Sequence, residues 1–215
     1  MEAIKPPKSL TDQTYDILLD AICTGELSPG DRLNQDEIAG RLNVSRQPVN
    51  SAISILRANG LVEDTGRRGV VVAPIDAGLF RPILEFRRLV DPFAVELAVH
   101  RRPDDARQRA GAILDRGRAA ARVNDVAALV QADVDFHEMI YAWSGNPVIE
   151  MSMRVNWHHI RRYMALVLRT PGASIPIWEE HASIVAALLS GDAERARCRM
   201  SAHLDVADQR MLAAL

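Results

Sequence analysis

Cysteine is scarce: Cys23 and Cys198 are the only two in 215 residues, far apart and in no CxxC pattern. That excludes a disulfide framework and a CxxC redox centre, and both are expected to be reduced packing residues in a cytoplasmic protein. Long apolar runs are missing too. None approaches the roughly 20 residues needed to cross a bilayer, and the opening MEAIKPPKSL holds no apolar core of a secretion signal. No membrane partner is therefore expected. Internal repeats and low-complexity tracts are absent. Positive charge is not in excess: the net charge is −2, and residues 1–75 carry 8 Lys/Arg against 10 Asp/Glu. Bulk charge thus gives no argument for a nucleic-acid partner, and any such contact must come from a local patch. What is present is ordinary globular composition, 48% hydrophobic and 25% charged, in a chain long enough for two cores.

After a loose, proline-containing arm, helical periodicity begins at Thr11, with Tyr15, Leu18, Leu19 and Ile22 at i, i+3, i+4, i+7. Gly25 and Ser28-Pro29-Gly30 stop it. A short second helix holds Ile38, Ala39 and Leu42, and Asn43 suits the left-handed turn after it. Ser45 is placed to cap a third helix with Val49, Ala52, Ile53 and Leu56 inward. Leu61–Glu63 and Val70–Ala73 are β-rich and joined by a hairpin signature, Asp-Thr-Gly-Arg-Arg-Gly. Pro74 to Gly78 reads as a boundary. Beyond it only helical patterns occur: one marked by Ile83, Phe86, Val90, Phe93 and Leu97, and others over about 104–122, 125–143, 147–169, 174–189 and 192–213. The chain is predicted to be mainly α, with residues 1–75 a winged helix-turn-helix and residues 76–215 an antiparallel all-α bundle.

The third helix has a second face of Arg46, Gln47, Asn50, Ser51 and Ser54. Arginine can read guanine in a major groove, and Asn or Gln can read adenine. Arg67 and Arg68 at the hairpin tip are placed for phosphates or the minor groove. Ser45, Arg46, Gln47, Asn50, Arg67 and Arg68 are thus the candidate DNA contacts. Pro29-Gly30-Asp31-Arg32-Leu33, Glu37-Ile38-Ala39, Val44-Ser45-Arg46-Gln47-Pro48-Val49, Leu56 and Gly60-Leu61-Val62 together resemble the GntR family of bacterial regulators. Two positions depart from it. Asn50 and Asp36 stand where the family often has arginine, which removes phosphate-binding charge. The resemblance implies a DNA-binding regulator.

Asp133 and His137 lie four apart, about 40° around a helix axis, on a face shared with Val130 and Ile140. His181 falls between Ile177 and Ile184, and His203 between Met200 and Ala207, both at inward spacing. A lone inward histidine is more often a core residue bonded to a carbonyl. Four such groups on three helices are different, because unpaired buried polar groups are costly and one divalent cation would satisfy all of them. Three imidazoles and a carboxylate suit Zn, Ni, Fe or Mn alike. His100, His158 and His159 show no such pattern and are expected to be surface or packing residues.

Asp133-Val-Asp-Phe136-His137 with Ser144-Gly145-Asn146, and Glu85-Phe-Arg-Arg-Leu-Val-Asp91, resemble the FCD effector domain of the FadR branch of that family. By this resemblance one metal per chain, a small organic acid bound at or near it, and a homodimer are expected. Arg87 and Arg161 or Arg162 would then hold a ligand carboxylate. The dimer would sit on a palindromic operator, with repression relieved by the effector as the family's commoner habit. A metal-dependent hydrolase or lyase is the rival, but no general base or oxyanion-stabilising group accompanies the proposed ligands. The chain is therefore not expected to be an enzyme.

Overall fold

The computed structural model describes residues 8–66, 69–169 and 172–214. It forms two compact units, Met1–Ile75 and Asp76–Leu215.

In the first unit, α1 (Leu10–Thr24) starts at Ser9, whose hydroxyl accepts from Asp12 N, and ends at left-handed Gly25. The second helix, α2 (Gln35–Leu42), is capped by Asn34 and closed by Asn43 at φ 51°. Then follows α3 (Arg46–Ala58). Ser45 occupies its N-cap position but makes no cap bond, so the capping role expected from sequence is not filled. Strands β1 (Val62–Asp64) and β2 (Val70–Val72) pair antiparallel, Val62 opposite Val72 and Asp64 opposite Val70. Arg32 adds a bridge to Val71. One core joins these elements: Leu18, Ile22, Val49, Ile53, Leu56, Leu61 and Val72 are all buried. Cys23 is buried here as well.

The second unit is built from six described helices: α4 (Ala77–Arg101), α5 (Ala106–Val123), α6 (Val126–Ser144), α7 (Pro147–Leu168), α8 (Ser174–Ser190) and α9 (Ala193–Ala214). Asn146 caps α7 by accepting from Val148 N, and Pro147 fills the first helical position, where its missing N–H costs nothing. Helix α4 packs on α6 and α9, while α5 lies between α6 and α8. The single core runs through all six, with Phe136, Ile140, Met153, Ile184 and Leu204 fully buried.

One sequence expectation is corrected. Cys198 is exposed on α9, not a packing residue. The periodicity from Ile83 to Leu97 does lie on a helix, α4. Phe86 and Phe93 are exposed there, while Leu84, Arg87, Asp91, Ala94 and Ala98 are buried beside Ile83. The face that is buried carries an ion pair whose two charges neutralise each other.

Gly117 on α5 is a packing constraint. A Cβ there would overlap the ring of Trp178 on α8. Gly117→Ala should therefore destabilise the helical unit by about 1–3 kcal/mol through overpacking, although alanine is the better helix former by about 1 kcal/mol. Urea unfolding followed by tryptophan fluorescence checks this, since all three tryptophans lie in this unit. An unchanged or raised midpoint would contradict the packing argument.

Candidate metal centre and DNA-reading face

Helix α6 carries Asp133 and His137 one turn apart, α8 brings His181 and α9 brings His203; all four are buried. One ring nitrogen from each of His137, His181 and His203 lies within 4.8 Å of the others. Asp133 adjoins them, its Oδ1 3.4 Å from His181 Nε2 and its Oδ2 3.9 Å from His137 Nε2. Phe136 stacks on the His181 ring at 3.9 Å between centroids, and Trp178 meets it at a T-shaped angle, 4.9 Å between centroids. Those aromatic walls fix the imidazole without offering it a hydrogen bond.

The surroundings set the charge states. Burial, helped by the Arg87 and His203 charges, holds His137 and His181 well below the usual histidine range. Both imidazoles are thus neutral at neutral pH, the form that binds a metal. Burial also pushes Asp133 up to about 6, against the pull of His203 and Arg87. Both ring nitrogens of His181 are buried without a hydrogen-bond partner, in a side chain that is 0% exposed. An orphaned buried polar atom costs about 1–3 kcal/mol. A divalent ion among these three imidazoles and one carboxylate would remove that cost, so the residues fit the group the sequence suggested.

A further layer surrounds these four residues. Glu180 accepts from His203 Nδ1 at 2.8 Å, which leaves Nε2 as the only other ring nitrogen of His203. A carboxylate on the far nitrogen orients such a ring and raises its basicity as a ligand. Burial alone would raise the Glu180 carboxyl, but the bonds from His203 and Arg210 bring it down to about 2. Arg210 grips both Glu180 oxygens, at 2.6 and 3.1 Å. On the other side Arg87 pairs with Asp91 at 2.8 Å, and its Nη2 lies 3.0 and 3.1 Å from the two ring nitrogens of His137. Tyr141 donates to the second Asp91 oxygen at 2.7 Å.

Sequence reasoning did not find Glu180, Arg210 or Tyr141 at this site. A small cavity of about 60 Å³ adjoins the cluster and is reached by Arg87, Asp133, His137, His203 and Arg210. Arg161 and Arg162, the other two candidate ligand arginines, lie on α7 but are not among its lining residues. Helix α7 turns Ile160, Tyr163, Met164 and Leu168 to the cavity instead. His100 is exposed, and His158 and His159 are half-buried.

In the first unit, Ser45, Arg46, Gln47 and Asn50 are all exposed at the start of α3, opposite its buried face. Arg46 pairs with Asp36 at 3.0 Å, both side chains being more than half exposed. Arg67 and Arg68 lie outside the described residues. A groove between α2, α3 and the hairpin is lined by Arg32, Asn34, Asp36 and Arg46, among others.

Known proteins share both units. The sequence pattern of the bacterial regulatory proteins of the gntR family matches residues 10–72. That of the FCD domain matches residues 82–206, more than half of the chain. The HTH-type transcriptional regulator LutR of Bacillus subtilis (strain 168) is 28% identical over 212 residues, covering 85% of this chain and 92% of its own. The HTH-type transcriptional repressor RspR of Escherichia coli (strain K12) is 24% identical, covering 94% and 88%. Among solved structures, E. coli McbR/YncC superposes with a TM-score of 0.84 at 22% identity, over 96% of this chain and 98% of its own. That likeness establishes the shared fold.

Proposed function

Because the chain belongs to the GntR family of bacterial regulatory proteins and carries an FCD domain, we propose that its operator binding is controlled by a small organic acid held at or near a divalent metal. The protein is a DNA-binding transcription regulator and not an enzyme. No described helix is long and apolar enough to cross a membrane.

In this reading residues 1–75 bind the operator and residues 76–215 bind metal and effector. A homodimer in the cytoplasm sets one α3 helix on each half of a palindromic site. Arg46, Gln47 and Asn50 read base edges, Ser45 meets the backbone, and Arg67 and Arg68 meet phosphates or the minor groove. In the other unit Asp133, His137, His181 and His203 hold one ion, Zn, Ni, Fe or Mn. The observation that carries the metal is His181, fully buried beside the other two histidines with neither ring nitrogen hydrogen-bonded and Nε2 3.4 Å from Asp133 Oδ1.

An ion taken up by His137 would displace the guanidinium of Arg87 as that ring's partner. Arg87 then has a donor to offer an incoming carboxylate, a charge-assisted bond stronger than a neutral one. Arg161 or Arg162, next in sequence to the lining residues Ile160 and Tyr163 on α7, is the second candidate for that carboxylate. Occupancy of the cavity weakens operator binding, as expected of a repressor, by a coupling of about 1–3 kcal/mol. The test is operator release when an organic acid is added to zinc-loaded protein. Release that persists unchanged after the metal is chelated would overturn the metal's role.

The DNA face yields a paired prediction. Arg46→Ala should weaken binding to a selected operator by about 1–3 kcal/mol and relax its sequence preference. Asp36→Ala should act in the opposite direction. It releases Arg46 and removes a negative charge from a surface that approaches phosphates. Fluorescence anisotropy at two salt concentrations reads both, and equal affinities for wild type and Arg46→Ala would remove Arg46 from the reading face.

A further inference from the structure

Resting on the reading of the C-terminal unit as an organic-acid site, we infer that its ligand is a short aliphatic monocarboxylate, and neither a polyhydroxylated acid nor a di- or tricarboxylate. Three independent features of the cavity carry this.

The first is the wall. Apart from the metal cluster and the two arginines, the lining is apolar, with Phe80, Ile83, Leu84, Met164, Leu168 and Met211 prominent. Among the described lining residues there is no Ser, Thr, Asn or Gln. The one neutral hydroxyl is that of Tyr163, and it donates to the Asp76 carbonyl. Hydroxyl groups along a ligand's chain would be buried without partners, which disfavours sugar acids and hydroxy-rich acids.

Charge is the second. With His203 neutral, as a metal-bound imidazole must be, Asp133, Asp91 and Glu180 supply three carboxylates, and Arg87 and Arg210 two guanidinium ions, leaving one net negative charge from the residues around the site. A divalent ion turns that into one net positive charge. One carboxylate neutralises it. A second would be an uncompensated buried anion against an apolar wall, a costly arrangement.

The third is size. The cavity of about 60 Å³ is well under the roughly 150 Å³ that admits a benzene ring. A ligand of few carbons suits that space.

Calorimetric titration of the zinc-loaded, untagged full chain tests this with three four-carbon acids: butyrate, succinate and 3,4-dihydroxybutyrate. Butyrate is expected to bind at least tenfold tighter than either of the others. Succinate or the dihydroxy acid binding as tightly as butyrate would overturn the inference, while leaving an organic-acid site in place. Heat from none of the three would overturn both the inference and the organic-acid reading. A second arm uses Met164→Gln, which puts an amide into the wall at a half-buried position. That variant should narrow the gap between butyrate and the dihydroxy acid severalfold, and an unchanged gap would contradict the role assigned to the wall.

Discussion

Asp91→Ala is expected to destabilise the helical unit by about 3–5 kcal/mol, the usual cost of removing one partner from a buried ion pair. Asp91 is 0% exposed and Arg87 only 6%. One Asp91 oxygen takes the Arg87 guanidinium at 2.8–2.9 Å and the other takes the Tyr141 hydroxyl at 2.7 Å. The variant would leave a buried cation and a buried phenol unpaired together. Replacing both charges, as in Arg87→Met with Asp91→Leu, should recover most of the loss, because a well-packed apolar pair is often as stable as a buried ionic one. Urea unfolding by tryptophan fluorescence separates the cases. A loss below about 1 kcal/mol in Asp91→Ala would show that the guanidinium is compensated elsewhere.

The second large effect is a change of sign. Zinc at 100 to 1,000 times its dissociation constant should stabilise the wild-type unit by about 3–4 kcal/mol, raising its melting temperature by roughly 6–16 °C at 2–4 °C per kcal/mol. His181→Leu should abolish that rise. The same substitution should leave the metal-free protein as stable as wild type or more so. Both His181 ring nitrogens are buried without a hydrogen bond, and an apolar side chain of similar volume removes that penalty. A metal-free His181→Leu protein several kcal/mol weaker than wild type would mean that the imidazole is satisfied without an ion.

The architecture was readable because its signals are local. Glycine and asparagine stops and the hairpin between Asp64 and Val70 each depend on a few neighbouring residues. The centre's four inward groups were readable for a similar reason. Polar residues at apolar spacing stand out, as Asp133 and His137 do beside Val130 and Ile140.

What failed to show was pairing across helices. Glu180 precedes His181 and looks like an ordinary surface acid, and nothing in the sequence brings it to His203 or to Arg210, 30 residues away. Among the arginines, adjacent Arg161 and Arg162 drew attention, yet the rotation of α7 leaves both off the cavity lining while α9 supplies Arg210. On α4 the buried Arg87–Asp91 pair sits at i,i+4 spacing, which residue types alone do not distinguish from a solvated pair. Ser45 shows the same limit at a smaller scale, since a suitable residue at a cap position does not guarantee the bond.

Elemental analysis of untagged protein, purified without added metal and compared with His203→Ala, tests the centre most directly. About one transition-metal ion per wild-type chain is expected, and almost none in the variant. Wild-type protein that carries no metal, even after incubation with Zn, Ni, Fe and Mn ions in turn, would contradict it.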